Sequence, residues 1–149
     1  MPLILIDTNV LVYFFNLNDS RRQNRAIELI DALEESRLGT LSTQNLGEFF
    51  NVVTRKLKPP IPTAEAILHV QHFMQIFTTI PLTTAVILEA MRGVSEHKLA
   101  YFDAQLWATA KLNQIPVIFS EDFQDGASIE GVRFVDPFKN GFDVSEWIY

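Results

Sequence analysis

Four carboxylic acids stand where apolar segments end or begin. Asp7 follows the aliphatic run Leu3 to Ile6, and apolar residues resume from Val10 to Phe15. Asp122 closes "PVIFSED", two residues after Ser120. Asp103 lies near the start of "YFDAQLWATA", and Glu48 lies within "STQNLGEFFNVV". A charge buried between greasy runs is costly unless it finds a partner. Carboxylates crowded into one pocket repel each other, and their pKa values rise unless cations intervene. Hard divalent cations with oxygen ligands remove that repulsion, so the chemistry in view is metal binding by acids.

Position supports three of the four. Ligands of open parallel sheets bind beyond the carboxyl ends of the strands. Asp7 and Asp122 stand at such ends and meet if their strands are neighbours. Asp103 shares a face with Leu106, Trp107 and Ala110, at i, i+3, i+4 and i+7. That face is otherwise apolar and packs inward, with the acid in a first turn where the helix dipole favours negative charge. Glu48 lies almost opposite the stripe of Leu46, Phe50 and Val53, so helix geometry alone makes it solvated. Plainer readings stand beside these. Asp7 also suits an N-cap, Asp103 a first-turn or capping acid, and Asp122 a turn residue. Asp125, before Gly126, reads more naturally as a turn than as a ligand.

The elements that must hold these acids follow from apolar patterning. Residues 2–6 read as a short buried strand, and Val10 to Phe15 as a helix or a second apolar segment. "NDS" at 18–20 is a break and an N-cap for a helix carrying Ala26, Ile27, Leu29, Ile30 and Leu33, which Gly39 ends. Leu41 sits in a brief strand, and Ser42 or Thr43 caps a helix with Leu46, Phe49, Phe50, Val53 and Leu57 on its stripe. "KPPIP" at 58–62 stops that helix. Helices are expected from Thr63 through Met74, from Thr84 to His97 and from Phe102 to Leu112. Strands are expected in "IFTTIPLT", at Pro116 to Phe119 and in "VRFVDPF". Short strands alternating with helices predict an α/β domain in three layers, α/β/α, around a mostly parallel sheet.

Composition narrows the class. At 149 residues, 48% of them hydrophobic and 12 of them Phe, one domain over 1–149 with a substantial core is expected. There is no cysteine, which excludes disulfides and thiolate metal sites and fits a reducing, cytoplasmic setting. No signal peptide or membrane-length apolar run is apparent. A net charge of −6 disfavours a strongly basic nucleic-acid binder, although metal ions can offset site carboxylates. His69 and His72 can share a helix face, but no third ligand stands nearby.

Four stretches in order, "LIDTNVLVYFFN", "LSTQNLGEFFNVVTRKL", "YFDAQLWATA" and "VIFSEDFQDG…IEGVRFVDPF", resemble the PIN domain family, most closely its bacterial VapC-like toxin branch. The resemblance spans nearly the whole chain. It implies a PIN-like fold and a Mg²⁺- or Mn²⁺-dependent endoribonuclease that cleaves RNA with a metal-activated water and leaves a 5′-phosphate. It maps the family's four acids onto Asp7, Glu48, Asp103 and Asp122, and so reverses the solvated reading of Glu48. Asp7 and Asp103 are expected to bind the principal metal directly, with Glu48 and Asp122 holding its waters or a second ion. Thr8 and Asn9 match polar positions beside the first acid, and Asp125 fits a neighbouring "DG" without a defined role. A small antitoxin partner and a homodimer are implied as well.

Single-stranded RNA or a loop is the natural substrate, because unstacked nucleotides can enter a pocket. Arg21, Arg22 and Arg25 form one basic cluster, and Arg55, Lys56 and Lys58 another; either could hold phosphates on the rim, or be an ordinary solvated face. Two other classes compete. One is a catalytically silent PIN-like module that binds RNA or protein, against which the complete acid set weighs. The other is a haloacid-dehalogenase-like phosphotransfer domain, which wants a second Asp at position 9, where this chain has Asn9.

Overall fold

The computed structural model describes residues 2–149. The chain runs β1 (Ile4–Ile6), α1 (Thr8–Phe14), α2 (Ser20–Ser36), β2 (Gly39–Ser42), α3 (Thr43–Arg55), α4 (Thr63–Ile76) and β3 (Thr78–Ile80). It continues through α5 (Thr84–His97), α6 (Tyr101–Leu112), β4 (Val117–Phe119), β5 (Ser128–Ile129), β6 (Val132–Val135) and α7 (Ser145–Ile148). The six strands form one sheet in the order β3-β2-β1-β4-β6-β5. Every pairing is parallel except that of β5 with β6. The fold is therefore α/β with a mostly parallel central sheet.

Strand alternation sends side chains into two cores. Ile4 and Ile6 of β1, with Val117 and Phe119 of β4, pack into a cluster with residues of α1, α2, α3 and α4, such as Leu11, Leu29 and Phe49. Leu5 and Ile118 point to the other face, against Ala90 of α5 and Trp107 of α6. Central parallel strands buried on both faces read as unbroken apolar runs, which explains "LILI" and "PVIF".

The connection order fixes where a ligand can sit. From β1 the chain crosses to β2 and then β3 on one side, and later returns to β4 on the other side. The β1/β4 junction is thus a topological switch point, where the crevice of an open α/β sheet lies. Ile6 is level with Phe119, and the Asp7 amide donates to the Phe119 carbonyl at 3.0 Å. The strands carrying Asp7 and Asp122 are therefore neighbours, which meets the condition set by the sequence.

Several boundaries differ from expectation. Val10 to Phe14 is helical, in a helix that starts at Thr8 directly after β1, and Phe15 is its C-cap. Gly39 does not end α2. Arg37 closes that helix in the left-handed region (φ 62°), and Gly39 begins β2. A Cβ on Gly39 would meet the Phe77 ring at 2.7 Å, so the glycine permits a close approach. Helix α4 runs two residues past Met74, to Ile76. The two-residue β5 and four-residue α7 were not expected; segments so short carry no readable period. Among the described residues, no helix is long and apolar enough to cross a membrane.

Candidate metal and nuclease site

Asp7 leaves β1 and becomes the N-cap of α1, with extended backbone (φ −75°, ψ 157°). One carboxylate oxygen, Oδ1, accepts from the Thr8 amide at 2.7 Å. The other, Oδ2, accepts from Ser120 Oγ at 2.6 Å. The capping reading is met in this residue, and the same carboxylate stands at the sheet edge. Ser120 Oγ in turn accepts from the Asp122 amide at 3.1 Å. One buried hydroxyl thus ties the acid after β1 to the turn that carries the acid after β4.

Glu48 reaches the same edge from α3. Its Oε2 accepts from Thr8 Oγ1 at 3.0 Å, and Oε1 accepts from Gln44 Nε2 at 2.7 Å. Thr8 Oγ1 accepts from Asn45 Nδ2 at 3.0 Å. Asn45 is locked in a capping box with Ser42. Gln44 accepts from Gln105 Nε2 at 2.5 Å, which links α3 to the helix bearing Asp103. Glu48 is half-buried, and its solvated reading by helix geometry fails. The face opposite the apolar stripe of α3 overhangs the strand ends, where polar partners wait.

The electrostatics join all four acids. Burial pushes the Asp7 carboxyl up to about 6; the Ser120 and Thr8 hydrogen bonds oppose this, while Asp122 and Glu48 add to it. Asp103 is also raised, first by desolvation and then by Asp122 and Glu48. Glu48 and Asp122 therefore act on both of the other acids. Asp7, Glu48 and Asp122 line a cavity of about 450 Å³ together with Thr8, Asn9 and Lys56. Asp103 does not line that cavity; the charges of Asp122 and Glu48 reach it.

The residues present offer the hard oxygen donors a divalent cation takes, although among the described residues no three of the four acids bring ligand atoms within 4.8 Å of one another. None of the four acids has an ion-pair partner among the described residues. Asn9 Oδ1 is buried beside Asp7 with no hydrogen-bond partner among the described residues, an oxygen donor free for a cation or its water. A competing cluster lies elsewhere: ligand atoms of Glu96, His97 and Glu130 come within 4.8 Å of one another. There Arg92 holds Glu130 with both amino contacts at 2.9 Å, and Lys111 stands 3.4 Å away. Arg92 and His97 hold the Glu130 carboxyl down at about 2. That cluster already carries its own cations.

Two sequence candidates fall outside the site. Asp125 accepts from the Asp136 amide at 2.9 Å and from Lys139 Nζ at 3.1 Å, fastening the turn before β5 to the segment after β6. His69 is half-buried and packs on the Phe15 ring, with centroids 4.4 Å apart, and its Nε2 stands 3.4 Å from Glu65. Sequence reasoning in turn missed Ser120, Asn45, Gln44 and Gln105. Ser120 and Asn45 are fully buried and Gln105 nearly so. A polar residue directly after "VIF" or within the buried stretch "AQLWATA" was the available signal.

Comparisons agree with this architecture. The PIN domain family model matches residues 4–124. No curated protein matches the sequence. Among solved structures, the fold is similar to Mycobacterium tuberculosis VapC20, described as a sarcin-ricin loop cleaving toxin. That match has 20% identity and a TM-score of 0.63, over 87% of this chain and 98% of that one. A toxin-antitoxin complex from Klebsiella pneumoniae gives 21% identity and a TM-score of 0.64, over 90% of this chain and 97% of that one. DNA-bound VapBC from Salmonella typhimurium gives 13% identity and a TM-score of 0.64, over 92% and 99%.

Proposed function

The chain belongs to the PIN domain family, and from that premise we propose that it is a metal-dependent endoribonuclease, the toxin of a toxin–antitoxin pair. The observation that carries the reading is the set of four carboxylates at one sheet edge, none with a cation partner among the described residues, with Asp7 raised to about 6. A helix cap alone needs no such gathering.

Asp7 and Asp103 are the proposed direct ligands of a Mg²⁺ or Mn²⁺ ion, with Glu48 and Asp122 holding its waters or a second ion. When bound, that cation supplies a lowered pKa for the attacking water and neutralises charge on the scissile phosphate. The chain's own residues do the positioning. Ser120 and the Thr8 amide fix both oxygens of Asp7. Thr8 and Gln44 fix both oxygens of Glu48, and such outer partners orient ligating carboxylates. Tyr13 lines the cavity, but burial and the neighbouring Glu121 push its phenol up to about 12, so it stays protonated at neutral pH. No histidine lines the cavity, and water remains the nucleophile. It displaces the bridging oxygen in line, leaving a 5′-phosphate.

The toxin assignment is supported by the structural relatives, a cleaving toxin and toxin–antitoxin complexes. A small antitoxin is proposed as a partner on the same ground, and a homodimer on the family resemblance alone. A labelled RNA mixture incubated with Mn²⁺, with EDTA, and with the Asp7→Asn variant tests the chemistry. Cleavage is expected only for the wild-type chain with metal, and equal cleavage by the variant overturns the mechanism. A short adjacent reading frame encoding a DNA-binding protein supports the toxin role; its absence favours a solitary nuclease.

A further inference from the structure

The two basic clusters have different fates. Arg21 donates to the Phe138 carbonyl at 2.8 Å, and Arg25 donates to the Pro137 and Phe142 carbonyls at 2.8 and 3.2 Å. Arg22 is held at 3.0 Å by both Asp19 and Glu121. These three arginines bind the chain's own C-terminal segment and acids. Lys56 has no hydrogen-bond or ion-pair partner for its ammonium among the described residues, is exposed, and lines the acidic cavity.

Its placement is regular. Gln44, Glu48, Val52 and Lys56 are spaced by four along α3 and its C-cap, so they form one row on the helix surface. The rise from Glu48 to Lys56 is about 12 Å. Between the two charged ends the cavity wall is apolar, formed by Val12, Val52 and Leu57. An acid end suited to a cation, an apolar middle and an ammonium at the far end describe a ligand with an apolar face between two anions.

We propose that this cavity is a nucleotide subsite, in which the wall of Val12, Val52 and Leu57 takes an unstacked base of single-stranded RNA and Lys56 holds a flanking phosphate. The assignment rests on the ribonuclease reading above. It makes Lys56 a positioning residue: it sets which phosphate of the strand faces the acids. An acidic peptide fits less well, because its carboxylates would meet Glu48 and Asp122 in the same cavity.

The test measures binding of a labelled single-stranded oligoribonucleotide across a salt series, in an Asp7→Asn background so that the probe stays intact. Removing one phosphate contact from a single strand lowers the log–log salt slope by about 0.7, equivalent to roughly fivefold weaker binding at 0.1 M salt. Lys56→Gln is expected to show both changes. Arg37→Asn, at the opposite edge of the sheet before β2, is expected to show neither. An abasic strand of equal length is expected to keep the salt slope and bind about fivefold more weakly, because it lacks the base. Unchanged affinity and slope in Lys56→Gln overturn the subsite while metal-dependent cleavage by the wild-type chain still stands. Equal loss in Arg37→Asn overturns it too, since the effect is then one of net charge. A wild-type chain that neither binds nor cuts RNA removes the ribonuclease reading and the subsite with it.

Discussion

Replacing Asp7 by Asn should stabilise the metal-free protein at alkaline pH and abolish its activity. The Asp7 carboxyl rises from 3.8 to about 6 on folding, chiefly through burial. Two pKa units correspond to about 3 kcal/mol. The sign follows from linkage. Below pH 3.8 the group is neutral in both states, and burial costs nothing extra. Between pH 3.8 and 6 the unfolded chain ionises first, so the native state loses stability as pH rises. Above pH 6 the whole cost is present. Asparagine carries no such cost; its Oδ1 can accept from the Thr8 amide, and Ser120 can turn to accept from its amide. In EDTA at pH 8, Asp7→Asn should therefore melt about 6–12 °C above wild type, at 2–4 °C per kcal/mol for a domain of this size. At pH 4 the two curves should converge. Mg²⁺ at 100 times its Kd should return about 2.7 kcal/mol to the wild type and little to the variant. Thermal melts of both proteins across pH, with and without metal, make the comparison. A variant no more stable than wild type at pH 8 in EDTA, or a gap that ignores pH, refutes the argument that Asp7 is a buried charge awaiting a cation.

Thr8→Val removes the hydroxyl that joins Asn45 to Glu48; metal-dependent cleavage should fall by about tenfold or more, and denaturant melts should show a loss of about 1–3 kcal/mol from the buried Asn45 amide left without its acceptor. Asp125→Asn should leave cleavage at the wild-type rate, because Asp125 fastens Asp136 and Lys139 instead of facing the site; a large loss in a cleavage assay contradicts its placement. Gly93→Ala should cost about 1–3 kcal/mol in denaturant melts, since the new Cβ meets the buried Trp107 ring at 2.8 Å. Gly47→Ala, with nothing within 4 Å of its Cβ, should instead gain about 0.5–1 kcal/mol from helix propensity.

The sequence makes the strand-borne half of the site readable and hides the helix-borne half. "LILI" and "VIF" mark strands buried on both faces, and an acid or hydroxyl just past such a run has nowhere to go but the sheet edge. That reasoning reaches Asp7 and Asp122 without coordinates. Glu48 defeats it because a helical period separates core from non-core and cannot tell solvent from a cleft. The row from Gln44 through Glu48 and Val52 to Lys56 becomes meaningful only once α3 is seen to overhang β1. Asp103 stood between these cases: its apolar face was legible, its nearness to Asp122 was not. The arginine cluster at 21–25 misled in the same way, since its carbonyl partners come from residues 137–142, more than 100 positions away. Partners that distant leave no local pattern.

The ladder bond from the Asp7 amide to the Phe119 carbonyl also divides the site by timescale. That amide lies within the central sheet, so it should exchange with solvent only when the domain unfolds as a whole. The Asp122 amide is held by one side-chain hydroxyl in a turn, and a local opening suffices to release it. In hydrogen-exchange measurements the two acids should therefore belong to different cooperative units, one anchored in the sheet and one that opens with its turn. Cation binding should slow exchange at the Asp7 amide by the full factor by which it stabilises the fold, and at Asp122 by as much only if opening of its turn releases the cation.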